Sequence, residues 1–207
     1  NGLRYVGSTN GDPLVYLHIV MTNPDTKRKA DPQTAFHSDT FHQTAKSWFF
    51  LYDIDDAEGP FTYIPGSHRL TPERLEWERE QSLSACGDKN TLHARGSFRL
   101  APEELGRLKY PEPVRFAVPG NTLVVADTHG FHARAASKRP SVRVGIYGSL
   151  RRNPFLPWAG LDPFDLPGLR GRQARFYMAQ KDLQFRLKGK ASHRYAGKIL
   201  VTEPSKF

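Results

Sequence analysis

Phe36-His37-Ser38-Asp39 sets one imidazole and one carboxylate two residues apart. In an extended chain, side chains at i and i+2 point to the same face. His37 and Asp39 therefore converge while Ser38 turns away. One further His would complete a two-His, one-carboxylate set, which binds non-haem iron(II) and leaves three coordination positions open. Two candidates stand in Asp127-Thr128-His129-Gly130-Phe131-His132. Open positions admit a chelating cosubstrate. 2-Oxoglutarate takes two of them through its 2-oxo group and one carboxylate, and its distal carboxylate then needs a buried cation. Arg suits that task, being planar, always charged and bidentate. Val142-Arg143-Val144 places one Arg amid apolar residues on an expected strand, where a charge without a partner is costly.

The elements that must position these groups read as short strands divided by turns. Leu14–Met21 is rich in β-branched residues and reads as a strand. Asn23–Gln33 is polar and reads as a loop, and Thr34–Asp39 resumes as a short strand. Ala45–Ile54 is an apolar, aromatic run bounded by acids and reads as a buried strand; Phe61–Ile64 is another, ending at Pro65-Gly66. Thr71 is an expected N-cap, with Pro72 at the first helical position of a helix running to about Ser84. Ala101–Lys109 reads as a second short helix. Val114–Val118, Thr122–Ala126, Phe131–Ala135 and Val142–Leu150 read as four more strands, the first two joined by a turn at Pro119-Gly120-Asn121. Beyond Arg151 the chain turns rich in Pro and Gly, which suits a lid or a long surface connection, and Gln173–Leu187 reads as a final helix. Many short strands with inserted helices point to a sandwich or barrel, not to a parallel doubly wound sheet.

Taken in order, these pieces resemble the phytanoyl-CoA dioxygenase-like branch of the iron(II)- and 2-oxoglutarate-dependent oxygenases. The resemblance rests on Phe36-His37-Ser38-Asp39-Thr40-Phe41-His42, the strand around Trp48, and Gly59-Pro60-Phe61. It continues through Pro65-Gly66-Ser67-His68-Arg69, Gly120-Asn121-Thr122 and Asp127-Thr128, and through a His with an Arg eleven residues later. That spacing selects His132 over His129. The resemblance runs from about Leu14 to Arg151. It implies a mainly β fold, a double-stranded β-helix (jelly roll, cupin-like) with a few flanking helices. His37, Asp39 and His132 would hold iron(II), and Arg143 would hold 2-oxoglutarate, with Trp48 beside it. It implies hydroxylation of an unactivated C–H of a small organic substrate by O2, with release of succinate and CO2. Asp39 argues against halogenation, because halogenating relatives lack the carboxylate. Family members have a longer stretch before the first ligand, so the expectation is one oxygenase domain over 1–207 lacking its N-terminal part. Its core spans about 14–151, and a C-terminal lid or helical extension about 152–207.

Other polar residues carry weaker expectations. His129, Asp127, His42 and Arg134 are candidates for contacts behind the ligands or to substrate. Asp127 would form a turn or orient a ligand His, and Arg134 stands where some members carry a Ser near the cosubstrate. His68 and Arg69 belong to a turn signature and read as structural. His18 reads as a core His, His93 and His193 as solvent-exposed, and Cys86 as a bystander.

The composition sets outer bounds. One cysteine excludes an internal disulfide and a Cys-based zinc site. No apolar run approaches the roughly 18 residues of a membrane-spanning helix, and a cytoplasmic location is the expectation. The formal charge is +9, from 30 basic and 21 acidic residues, and Gly168–Lys198 holds nine of the basic ones against Asp182 alone. This excess suits an anionic small-molecule substrate, with Arg134, Arg139, Arg151 and Arg152 as the basic residues in view. Two other readings compete. A nucleic-acid-acting oxygenase would stack bases on Phe155, Trp158 and Phe164. A non-catalytic metal- or ligand-binding β-barrel would have no need of Arg143.

Overall fold

In this computed structural model, residues 1–22, 24, 31–155, 166–169 and 171–191 are described. The chain divides into two compact units, Asn1–Asp162 and Pro163–Phe207. The elements of the first are α1 (Gly2–Gly7), β1 (Leu14–Thr22), β2 (Thr44–Phe50), β3 (Phe61–Tyr63), α2 (Pro72–Ser84), α3 (Pro102–Arg107), β4 (Val114–Phe116), β5 (Thr122–Asp127), β6 (His132–Arg134) and β7 (Ser141–Arg151). The second contributes α4 (Gln173–Lys188). Trp158, Phe164, His193 and most of the expected loop Asn23–Gln33 lie outside the described residues. No helix among the described residues is long and apolar enough to cross a membrane.

The fold is mainly β. One antiparallel sheet has the order β1-β7-β2-β5 and a smaller one β4-β3-β6. Period-two alternation lets each strand bury one face between the sheets. Phe50 and Val124 of the larger sheet pack with Phe61 of the smaller one. Trp48 lies 4.4 Å from Phe61, ring centre to ring centre. This two-sheet arrangement agrees with the expected jelly roll. The packed body begins before the expected strands: α1 lies against β2, β5 and β7.

The smaller sheet is extended by two short segments. His37 bridges His132 on one side and Arg99 on the other. Its alternation places Phe36, Phe98, Leu100 and Phe131 outward, in a second core with Trp77 of α2. His37, Arg99 and His132 therefore face inward. Thr71 caps α2 as expected, its hydroxyl accepting from Arg74 N at 3.2 Å. The expected strand Thr34–Asp39 does not form a continuous ladder. Asp31 starts a turn whose carbonyl accepts from Thr34 N at 3.0 Å, and only His37 pairs as a bridge. Likewise β2 stops at Phe50. The Asp53 carboxylate there accepts from Gly120 N at 2.7 Å, and pairing resumes as a single bridge, Ile54 to Val118.

Arg74 of α2 ties this second core to the turn before His132. Its side chain is fully buried. It donates to Ser67 O at 3.0 Å and His129 O at 2.9 Å, pairs with Glu78 at 2.9 Å, and lies 3.9 Å from the Phe131 ring centre. Removing one partner of a buried ion pair strands the other. Arg74→Ala is therefore expected to lower stability by about 3–5 kcal/mol, measured as a shifted urea midpoint; a loss below about 1 kcal/mol would show that the network is dispensable.

Burial alone would raise the Glu78 carboxyl, but its hydrogen bond to His129 and the Arg74 charge hold it below the ordinary value of 4.5. A carboxyl lowered on folding contributes stability above its unfolded value and loses it as pH falls. The stability gap between wild type and Glu78→Gln is thus expected to narrow as pH drops below about 4.5. A gap independent of pH would exclude an ionised Glu78 from the network.

Candidate active site

His37, Asp39 and His132 come together between the sheets, their ligand atoms all within 4.8 Å of one another. His37 and His132 form a hydrogen-bonded cross-strand pair, each backbone N donating to the other's O at 3.0 Å. Asp39 N donates to Thr128 O at 2.9 Å, which fixes the carboxylate beside them. Convergence thus comes from pairing to the 128–132 segment, without the continuous strand expected around Asp39. The imidazoles are oriented by backbone carbonyls: His37 Nδ1 lies 2.8 Å from Ala35 O and His132 Nδ1 3.0 Å from Gly130 O. With the Nδ1 protons so used, both Nε2 lone pairs face Asp39, at 3.9 and 3.6 Å from its carboxylate oxygens. That donor set fits a divalent metal.

The protonation states match. His37 is lowered to about 3, first by burial and then by the adjacent His132, with a smaller part from Arg99. Burial lowers His132 as well. Burial would raise Asp39, but Lys46 and then His132 outweigh it and hold the carboxyl at about 2. All three are thus in the form that ligates a metal without releasing a proton.

A cavity of about 570 Å³ opens beside the triad, lined among others by His18, Lys46, Trp48, His132, Arg134 and Arg143. Arg143 sits on the inner face of β7, and burial, with the nearby Arg134, lowers its pKa to about 10, so it stays charged. Its Nε is buried without a hydrogen-bond partner. Trp48, on the inner face of β2, stands across the cavity wall. Arg134 also faces it, ion-paired to Asp31.

The remaining candidates sit elsewhere. His129 Nε2 is 2.6 Å from Glu78 and away from the triad. The Asp127 carboxylate accepts from Thr44 N and His129 N, both at 3.0 Å, so it builds the turn and touches neither ligand ring. His42 is half-buried with its Nδ1 at Gln43 O. His68 and Arg69 are exposed in their turn. Three expectations are corrected. His18 is no core residue but lines the cavity, packed against Tyr147. His93 is buried, because its Nδ1 accepts from Arg99 N at 3.2 Å. Arg139 pairs with Asp55 and Glu58 on the surface. Arg151 is exposed and Arg152 half-buried. Cys86 is exposed, as is Phe155, whose ring lies near Phe41.

Two residues escaped the sequence reading. Lys46 reaches Asp39 at 2.5 Å. Its signal was a charge inside the apolar run of β2, in phase with Trp48. Arg99 lies beside His37 in Phe98-Arg99-Leu100, a charge between apolar neighbours like that of Val142-Arg143-Val144.

Residues 10–103 match the sequence model of the phytanoyl-CoA dioxygenase (PhyH) family, and over that stretch the chain is phytanoyl-CoA dioxygenase-like. The stretch holds His37, Asp39 and the Pro65–Arg69 signature; His132 and Arg143 lie beyond it. No curated protein matches the chain. Among solved structures, AviO1 from Streptomyces viridochromogenes Tue57 is similar at 17% identity and a TM-score of 0.40, over 76% of this chain and 57% of that one. The non-heme alpha ketoglutarate dependent carbocyclase SnoK from nogalamycin biosynthesis follows at 21% and 0.41, over 72% and 53%. HygX from Streptomyces hygroscopicus, with nickel and 2-oxoglutarate bound, gives 12% and 0.41, over 72% and 60%. The chain thus spans less than two thirds of the length of each.

Zinc(II) titration followed by calorimetry tests the assignment of the third ligand. His132→Ala is expected to weaken binding by more than about 100-fold, beyond the loss typical of residues behind the ligands. His129→Ala should leave it within about tenfold. Exchange of these two outcomes would make His129 the ligand.

Proposed function

We propose that the chain is an iron(II)- and 2-oxoglutarate-dependent oxygenase that hydroxylates an unactivated C–H of a small organic substrate, releasing succinate and CO2. The observation that carries this reading is Arg143: a half-buried, charged guanidinium, its Nε buried without a hydrogen-bond partner, in the same cavity as His132. A protein that only held a metal would have no use for it.

His37, Asp39 and His132 would hold the iron. Iron(II) with 2-oxoglutarate and O2 supplies oxidative decarboxylation of the 2-oxo acid and an oxidant for a neighbouring C–H. Arg143 receives the distal carboxylate of 2-oxoglutarate as a charge-assisted pair, and Trp48 bounds the slot beside it. Lys46 neutralises Asp39 and lines the same cavity, where it would add positive charge for the cosubstrate's other carboxylate. The apolar walls from Phe61 and Trp48 keep water from the reacting centre. The same machinery supports desaturation, epimerisation or cyclisation when the substrate is held differently.

The test needs no substrate. Anaerobic iron(II) followed by 2-oxoglutarate should give the visible charge-transfer band of the chelate. Arg143→Ala should raise the 2-oxoglutarate concentration for half-maximal band by at least about 30-fold, the effect of stranding one member of a buried charge pair, with iron binding little changed. A folded protein that binds iron and gives no band would refute the oxygenase reading and leave a metal-binding barrel.

A further inference from the structure

We propose that Arg99 receives an oxyanion carried by the organic substrate, on the side of the triad away from the cosubstrate arginine. This rests on the proposed function and adds the substrate's chemical class to it.

The placement follows from the register. Tyr63 pairs with His132, His132 with His37, and His37 with Arg99, so the four form one row across the smaller sheet. His37 and Arg99 form a non-hydrogen-bonded pair: the flanking bonds are Ser38 N to Phe98 O and Leu100 N to Phe36 O. Such pairs bring their side chains closest, with Cα atoms about 4.5 Å apart. Arg99 therefore stands on the same inward face as the ligands, next to His37. Its charge is felt by all three ligand residues.

The guanidinium has no assigned partner. Nε and Nη1 are both buried without a hydrogen bond. Among the described residues no carboxylate forms an ion pair with it; Asp39 is taken by Lys46. The other basic groups near the site are engaged: Arg134 by Asp31 and Arg74 by Glu78. Arg143 is reserved by the proposed function for the cosubstrate. Buried unpaired donors of a charged group are costly, and an oxyanion accepting from the fork of Nη2 with either Nε or Nη1 would satisfy one of the two orphaned donors.

The two arginines are also separated. Arg143 belongs to the larger sheet and lines the cavity on the His132 side. Arg99 belongs to the segment beyond His37 and is not part of that cavity's wall. One anion would then be held at each side of the triad, leaving the substrate's C–H near the metal. A metal held at Asp39 would offset the carboxylate charge that Arg99 feels and so would favour an anion at Arg99.

The full chain is loaded with zinc(II) and saturating 2-oxoglutarate, and the Arg99 Nε–H signal, assigned through bonds, is followed by NMR. Acetate and inorganic phosphate are titrated separately at constant ionic strength in chloride. A saturable shift of the Arg99 signal with either anion supports the proposal. Tighter binding of acetate marks a carboxylate substrate, and tighter binding of phosphate a phosphorylated one. Arg99→Gln should weaken that anion's thermal protection at least tenfold in midpoint concentration while keeping the 2-oxoglutarate band under anaerobic iron(II). No saturable shift with either anion, or protection unchanged in Arg99→Gln, overturns the proposal. Loss of the band in wild type with the Arg99 shift intact would instead refute the oxygenase reading and leave an anion site beside a metal centre.

Discussion

The triad depends on how rigidly the six residues Asp127–His132 are held. β5 ends at Asp127 and β6 begins at His132, so the chain must leave one sheet and join the other within this span. Every backbone group there that turns inward finds a partner. Asp127 closes the span through its own carboxylate and accepts the Tyr63 hydroxyl on its carbonyl at 3.0 Å. Thr128 N donates to Thr44 O at 2.8 Å. Ser67, from the Pro65–Arg69 turn, donates to Ile64 O and accepts from Phe131 N, both at 2.7 Å. Gly130 is required where it stands, because a Cβ would run into the Tyr63 hydroxyl. The signature turn is thus not part of the chemistry. It is a clamp on the segment that carries His132.

This clamp explains which parts of the site were legible in the sequence. Strands such as Leu14–Met21 and Val142–Leu150 carried their own period and turn signals, and they appear as β1 and β7. The cap at Thr71 and Pro72 gave α2 within a residue. His37 and Asp39 were legible because two-residue spacing brings side chains together in most extended backbones, whether or not a ladder forms around them. The choice between His129 and His132 was legible only through the spacing to Arg143. Nothing local to Asp127–His132 says that His129 will be drawn off by Glu78, 51 positions away in sequence.

What escaped reading did so because surroundings made by folding do not show in the local sequence. His93 sits in polar, basic sequence yet is enclosed because it receives the backbone N–H of Arg99. His18 lies in an apolar strand yet faces a cavity, since the larger sheet turns that face toward polar walls. Lys46 and Arg99 each interrupt an apolar alternation, the same signal that singled out Arg143. A charge on the inward phase of a strand is expensive unless something meets it, so all three interruptions carried equal information. Only Arg143 had a second signal, its distance from a His.

The electrostatics of the centre then follow from counting charges in phase. Asp39 is the single acid of the His37, Asp39 and His132 cluster, and Lys46 and Arg99 both act on it. Without metal, Lys46 at 2.5 Å balances the carboxylate, which is why a buried acid can remain ionised at about 2. A divalent cation held by His37, Asp39 and His132 would compete with that ammonium for the carboxylate and would leave a net positive centre near Lys46, Arg99 and Arg143, Arg134 being paired with Asp31. Such a centre is stable only when anions enter with the metal. On the proposed function, 2-oxoglutarate would bring two negative charges, one for the metal side and one for Arg143. Arg99 beyond His37 and the displaced Lys46 would then be the cations left without an anion, which fits the proposal that the organic substrate itself carries negative charge.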